Sequence, residues 1–415
     1  MTTDRVNADL AELFTTPDRD AFLAGLAEHG PVTRGHYLDG TPIWLVTGYE
    51  ESLAVLTDPR LSSDMARQTK LNVAAIAGIP EDVRPYLTRT MGAYDPPDHT
   101  RLRRLVSREF TARRVERLRP RIQQIVDELI DGFTRHDFTR HDFSGHDFTG
   151  HDEIDLIERF AYPLPVQVIC ELLGVPQADR GTWRVWGEAM TAGDLEAMAA
   201  GARALVAYMS ELIEAKRGDG GDDLLSALVR TQEDDGDRLS TQELTSVAIS
   251  ILMAGHETTV SLISHGVLLL LTHPDQADRL RGDADAMAVA VEELLRHSGP
   301  AEIAPLRFTL EPTRVGDVTI PAGEAVQVVN ALANRDPRRF SDPGSLRLDR
   351  GDNAHLGFGH GIHYCLGAAL ARAEAQIALH TLLLRLPGLR LAVPAEQIVW
   401  KPGLMRALTA LPVRP

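Results

Sequence analysis

Along most of the chain apolar residues recur every three or four positions, the spacing of one buried helix face. The pattern predicts helices near residues 98–132, 154–174, 178–217 and 240–297. Thr16 and Pro17, ahead of DRDAFLAGLAEHG, predict a helix start with proline at the first helical position, and Gly30 its stop. Strand patterns are few. One is PIWLVT at 42–47, a second is RVGDVTIPAGEAVQVVN at 314–330 with turns at Gly316-Asp317 and Ala322-Gly323, and a third lies in the last thirty residues. No Gly/Ser-rich or Pro-rich linker divides the chain. The expectation is one large, mainly α domain over residues 1–415 with a small β portion.

The longest helical pattern, 240–272, spans about 50 Å at 1.5 Å per residue. Ser240 and Glu243 fit a capping box. The run VAISILMAG…VSLISHGVLLLL is apolar nearly all round, so this helix should be buried. Its middle breaks the rule, with Ala254-Gly255-His256-Glu257-Thr258-Thr259. A mid-helix glycine costs about 1 kcal/mol relative to alanine, and a buried carboxylate costs more unless paired. One reading is close helix packing at the glycine, with the hydroxyls bonded back to the preceding turn. The other is a functional break. Ala254 and Gly255 leave room for a small ligand, Thr258 donates a hydrogen bond to it, and Glu257 carries protons from solvent.

Length and charge narrow the classes. The chain has 415 residues and a formal charge of −16, which argues against nucleic acid as partner. The N-terminus lacks a charged segment followed by an apolar one, and uninterrupted apolar runs fall short of the ~18 residues of a membrane span. A cytoplasmic protein with no membrane association is expected. Two cysteines exclude a disulfide framework. Cys170, in VQVICELLG, reads as a small buried hydrophobe. Cys365 differs. It closes Phe358-Gly359-His360-Gly361-Ile362-His363-Tyr364-Cys365-Leu366-Gly367 and precedes the helical pattern AALARAEAQIALHTLLL. A thiol at a helix N-terminus should ionise readily. The glycines allow close approach to a flat ligand, and His363 is placed to donate to a carboxylate on it. A nucleophilic Cys–His pair is the other functional reading, but no oxyanion site accompanies it.

Two further features are unusual. RHDFT-RHDFS-GHDFT-GHDE, at 135–153, repeats every five residues and carries His136, His141, His146 and His151. That spacing puts successive histidines on different faces of a helix and opposite faces of a strand. The segment is read as a surface-loop insertion rather than a metal site. From His99 to Arg121 there are nine arginines against two acids, Glu109 and Glu116. This is either a solvated helical face or a docking patch.

Phe358-x-x-Gly361-x-x-x-Cys365-x-Gly367 resembles the haem-ligand signature of the cytochrome P450 superfamily. AGHETT at 254–259 resembles that family's oxygen-activating segment on its long central helix. Glu293-Leu294-Leu295-Arg296 resembles its ExxR pair, and Arg350 stands where a third, structural member of that cluster is usual. The resemblance implies a P450-type fold with the long helix over haem b. Cys365 would be the iron ligand. Ala254, Gly255, Phe358, Gly359 and Gly367 would line the haem, and Glu257 and Thr258 would be the catalytic proton-delivery pair. His99, Arg103, Arg307 and His363 would hold the haem carboxylates. It further implies a monooxygenase that uses O2 and takes electrons from a separate ferredoxin and reductase, with the arginine patch as their docking surface. The substrate would be a medium or large apolar molecule, such as a polyketide or macrolide of antibiotic biosynthesis. Segments near 70–93, 188–200, 250–258, 301–306 and Met405 would line its pocket, including Leu71, Val73, Ile76 and Ile303. The alternatives are a haem-thiolate isomerase or peroxygenase and a non-catalytic haem sensor. Neither isomerase nor peroxygenase needs the Glu257-Thr258 pair to protonate O2.

Overall fold

The computed structural model describes residues 8–67, 71, 78–134, 153–182, 185–186, 195–218, 221–234 and 238–415. The helix Thr241–Thr272 runs through the middle of the molecule. Its first turn carries the expected capping box. Ser240 Oγ accepts from the Glu243 N–H at 3.2 Å, and Glu243 Oε2 accepts from the Ser240 N–H at 2.7 Å. The helix packs against Pro163–Leu173, Leu195–Gly218, Ala284–Ser298 and Ala368–Arg385. By length and composition it is apolar enough to cross a membrane, which corrects the expectation that no segment is. Serines, threonines, glycines and histidines interrupt its apolar runs without making it polar overall, and only Glu243 and Glu257 are charged. Half of its most apolar stretch is buried, with Leu262, Ile263 and Val267 in the main core cluster. Each such side chain contributes roughly 1.5–3 kcal/mol. At Gly266 an added Cβ would lie 2.8 Å from Leu379 Cδ1, so the glycine lets the 368–385 helix come close.

Four expected helical spans are divided or redrawn: the 154–174 pattern opens as the strand Ile154–Asp155 and is α-helical only over Pro163–Leu173, and three others change for local reasons. The 240–297 pattern breaks where Pro274, lacking an N–H, opens the short helix Pro274–Ala277, and it resumes at Ala284–Ser298 under an Asp283 cap. The 98–132 pattern divides into Asp98–Glu109 and Ala112–Thr134, because Phe110 leaves the helical region and Thr111 Oγ1 accepts from Arg114 N at 3.2 Å to start the next helix. Near the N-terminus Thr16 closes the helix Leu10–Thr15, and Asp18 caps Arg19–Ala27. Only Leu195–Gly218 of the 178–217 pattern is a described long helix.

Among the described residues the strands form three small sheets. In the largest, Pro42–Val46 pairs antiparallel with Val32–His36 and parallel with Ala325–Val328. Arg307–Thr309 pairs with Ala325–Val328 on one side and Leu61–Ser62 on the other, and this fixes Arg307 opposite Val326 in the interior. Thr313–Val315 and Val318–Ile320 form a hairpin whose turn uses Gly316 at φ +56. Arg390–Leu391, Ile154–Asp155 and Pro412–Arg414 form the third sheet. The mainly α class with a small β portion therefore holds. The His-rich insertion lies outside the described residues, except Glu153.

A buried ion network escaped the sequence reading. Glu302 accepts from Arg19 at 2.6 Å and from Arg406 at 3.0 Å, and Arg406 also holds Asp20 at 2.9 Å. It ties the C-terminal segment to the second helix. Nothing in the local sequence pairs positions so far apart.

Candidate functional site

The Cys365 loop is built by glycines and a helix start. Gly359 and Gly361 sit at φ +69 and +73, and a Cβ on Gly361 would lie 2.7 Å from the Leu56 carbonyl oxygen. The Cys365 N–H donates to the Phe358 carbonyl at 2.9 Å, and the helix Ala368–Arg385 follows. The Cys365 side chain is open on one side. Protein packed around the rest of it pushes the thiol above its ordinary range, while the Gly367 and Ala368 N–H groups and the charges of Arg103 and Arg372 pull it down. The expectation that the helix terminus alone would ionise it is corrected, because desolvation outweighs those dipoles and charges. A coordinating metal ion deprotonates such a thiol outright. Cys170 is fully buried, and burial pushes its thiol up to about 12, as a core cysteine requires.

Beside this loop lies a group of basic side chains short of acceptors. His99 is 3% exposed, and neither ring nitrogen has a hydrogen-bond partner. Its ring centroid is 4.3 Å from that of His363, whose Nε2 is likewise buried and unpartnered, as is Arg307 Nε. Burial lowers the pKa of His99, with the charges of Arg103 and Arg307 adding to it. Burial and then Arg307 bring His363 down to about 3. Burial also lowers Arg103 and Arg307. The nearby carboxylate, Asp95, already accepts from Ser62 and, at 2.9 Å, from the Ser63 N–H. Unpaired buried donors cost about 1–3 kcal/mol each. Three such residues, His99, His363 and Arg307, with the half-buried Arg103 beside the thiol, fit a ligand that brings carboxylates of its own, so the residues present suit a haem.

The central helix turns an open side out at its midpoint. Ala254 and Glu257 are exposed there and Thr258 is half-buried. Ala254, Ser250 and Met253 line a cavity of about 350 Å³ with Ile79, Tyr86 and Met198. The expected segments near 70–93, 188–200 and 250–258 thus meet at one cavity. Leu71 and Ile303 instead pack with the N-terminal cluster around Leu10 and Leu45, and Met405 is not in the cavity wall. Val73 and Ile76 lie outside the described residues.

Two details revise the reading of AGHETT. An added Cβ on Gly255 would lie 3.0 Å from Ile169 Cδ1, so this glycine serves contact with the 163–173 helix, whereas Ala254 faces the cavity. Thr258 Oγ1 donates to the Ala254 carbonyl at 2.7 Å. Its hydrogen is therefore engaged, and the oxygen's lone pairs are what it offers a ligand or water. Thr259, buried, donates in the same way to Gly255 at 3.1 Å. Back-bonding is thus common to both threonines, and exposure onto the open side distinguishes Thr258. Glu257 is exposed and not buried, so no desolvation conflict arises at this carboxylate.

Glu293, Arg296 and Arg350 do come together. Glu293 accepts from Arg296 Nε at 2.7 Å and from Arg350 Nε at 3.0 Å, with all three side chains at most 5% exposed. It also accepts from the Arg347 N–H at 2.9 Å and from Asn353 Nδ2 at 3.1 Å. Arg296 donates onward to the Asn334 and Pro343 carbonyls, each at 2.9 Å. Burial alone would raise the Glu293 pKa, but the hydrogen bonds from Arg296, Arg347 and Arg350 bring it below the ordinary range. Sequence reasoning passed over the adjacent Glu292, which binds Arg372 and His355. Its one sequence signal is its place beside Glu293.

The arginine run separates by environment. Arg101 pairs with Glu243, Arg114 with Glu109 at 3.7 Å, Arg119 with Glu116 at 3.7 Å, and Arg121 with Glu171 at 2.8 Å. Arg103 lies near enough for its charge to act on Cys365. Arg104, Arg108, Arg113 and Arg117 are exposed.

A family model described as Cytochrome P450 matches residues 198–387. The cytochrome P450 monooxygenase PikC of Streptomyces venezuelae is 48% identical over 393 residues, covering 94% of this chain and 89% of that protein. The 6-deoxyerythronolide B hydroxylase of Saccharopolyspora erythraea is 45% identical over 398 residues, covering 94% of each. Among solved structures, the tirandamycin C-bound P450 monooxygenase TamI superposes with a TM-score of 0.85 at 41% identity, covering 98% of this chain and 99% of that one.

Proposed function

The chain belongs to the cytochrome P450 family and is a monooxygenase of secondary-metabolite biosynthesis, and from that premise we propose that it oxygenates a C–H or C=C bond of a medium or large apolar molecule of the polyketide or macrolide type, acting in the cytoplasm with electrons from a separate ferredoxin and reductase. The cofactor is a haem held through a cysteine thiolate, and in this reading it is haem b. Its thiolate-bound iron supplies O2 binding and O–O cleavage. The observation that carries the proposal is the convergence of unpartnered His99, His363 and Arg307, with Arg103, on the loop that exposes Cys365.

Each residue then has a task. Cys365 binds the iron. His99, Arg103, Arg307 and His363 would donate to the haem carboxylates through charge-assisted bonds. Phe358, Gly359 and Gly367 on the Cys365 loop and Ala254 on the central helix would line the ring. Gly255, from its contact with Ile169, sets the helix spacing and does not line the ring. Thr258 would accept a hydrogen bond from a water on the open side of the helix, and Glu257, open to solvent, would resupply the proton to that water. The apolar wall of Ile79, Leu87, Ile249 and Met253 receives the substrate, and Thr90 and Ser250 offer it hydroxyls. Titration of an apolar macrolide or polyketide panel tests this reading. A substrate shifts the haem absorbance on binding and yields a product heavier by one oxygen atom. Labelling from 18O2 identifies the source of that atom. Oxygen taken from water would contradict the proposal.

Thr258→Ala is expected to bind haem and substrate normally and to lower product formed per electron pair by about tenfold or more, given the 10²–10⁴-fold worth of positioned proton transfer. Peroxide or water should account for the difference. Unchanged coupling would remove Thr258 from the proton path.

For the electron donor, exposed Arg104, Arg108 and Arg113 offer a basic face on an acidic protein. Glutamate at all three is expected to slow ferredoxin-supported turnover by about tenfold at low salt, less at high salt, because charges of this kind act through encounter rate. Peroxide-supported turnover should be spared. Equal loss of both would contradict docking at this face.

A further inference from the structure

Glu292 and Glu293 are neighbours on the helix Ala284–Ser298, so their side chains point about 100° apart. Glu293 serves Arg296 and Arg350. Glu292 faces the Cys365 loop. Its Oε1 accepts from Arg372 Nε at 2.7 Å and its Oε2 from the second guanidinium arm at 2.8 Å, a two-pronged pair. The remaining arm of Arg372 donates to the Tyr364 hydroxyl at 3.1 Å, and the guanidinium lies 4.5 Å over the Phe358 ring. Glu292 Oε2 also lies 3.0 Å from Nε2 of His355, whose side chain is 3% exposed. Nδ1 of His355 accepts the Gly357 N–H at 3.0 Å. A ring nitrogen that accepts carries no proton, so His355 holds its proton on Nε2 and donates it to Glu292. One carboxylate thus reaches both ends of the loop, Gly357-Phe358 through His355 and Arg372, and Tyr364 through Arg372. Between them the Phe358 carbonyl accepts the Cys365 N–H.

We propose that Glu292 is a positioning residue for Cys365: through Arg372 and His355 it fixes the loop that presents the sulfur to iron, and it cancels the Arg372 charge beside that sulfur. The inference rests on Cys365 being the iron ligand. Groups hydrogen-bonded behind a metal ligand set its orientation and tune the metal, and charge near a haem thiolate shifts its reduction potential. Removing the carboxylate charge leaves Arg372 uncompensated and favours electron uptake. Removing the guanidinium charge leaves Glu292 uncompensated and disfavours it.

The experiment uses the haem-loaded protein and two readouts besides turnover: the midpoint reduction potential, and the fraction of the reduced CO complex with the red-shifted thiolate band. Glu292→Gln should shift the potential upward and Arg372→Gln downward. Both should lower the thiolate fraction on storage or mild acidification. In a second pair, His355→Gln keeps a donor toward Glu292 and should retain more of the thiolate fraction than His355→Leu. A contribution to packing alone would not produce potential shifts of opposite sign. Shifts of the same sign, or a Glu292→Gln protein with wild-type potential and thiolate fraction, would overturn the proposal. If Glu292→Gln loads no haem, the His355 pair decides, and equal thiolate fractions in its two members would also overturn it. A wild-type protein without the red-shifted band would instead refute Cys365 as ligand.

Discussion

A Glu293→Gln protein is expected to lose about 3–5 kcal/mol of stability, enough to prevent stable haem loading in an ordinary domain. Glu293 is fully buried, and it is the carboxylate between Arg296 and Arg350. Both guanidiniums also donate to backbone carbonyls. The amide substitution therefore removes the charge that justifies two buried cations, while leaving them in place. The pH dependence follows from the same group. Its pKa is lower folded than unfolded, so its stabilisation is complete above the ordinary carboxylate range near 4.3 and is lost as pH falls through the lower folded value. Urea denaturation of wild type and variant, with haem content from the absorbance spectrum, tests this. A Glu293→Gln protein that keeps the wild-type midpoint and full haem content would show that the network is dispensable.

Cys365→Ser is expected to leave the fold in place and end oxygenation. The side chain is open on one face, the loop is held by the Phe358–Cys365 backbone bond and by Arg372 and His355, and a serine oxygen can accept the Gly367 and Ala368 N–H groups that face the sulfur. Serine occupies nearly the same space. Its alcohol is a far weaker ligand than a thiolate and lacks the electron donation that favours O–O cleavage. Monooxygenase turnover should fall below detection while helical content and unfolding midpoint stay close to wild type. Retained turnover would mean that another residue binds the iron.

Much of this site is legible in the sequence because its chemistry sits in short motifs. The Cys365 loop, AGHETT and ExxR each lie within a dozen residues, and glycines at φ +69 and +73 explain why the loop needs those residue types. The central helix follows from its apolar run and its Ser240–Glu243 box. Long-range facts were not legible. Pro42–Val46 pairs with Ala325–Val328 across about two thirds of the chain, and Glu302, Arg19 and Arg406 meet from three distant segments. Nor could local pattern reveal that Gly255 faces Ile169 while its neighbour Ala254 faces the cavity. That depends on the rotation of one helix against another. Thr258 shows the same limit. Its residue type announces a hydroxyl, but only the structure shows the hydrogen engaged at Ala254.

The most direct test of the account is the absorbance difference spectrum of the dithionite-reduced, haem-loaded protein with CO. A strongly red-shifted Soret band is the expected result, since Cys365 would supply a thiolate to the iron. A Soret band at the position typical of neutral histidine ligation, in freshly prepared folded protein, would contradict it.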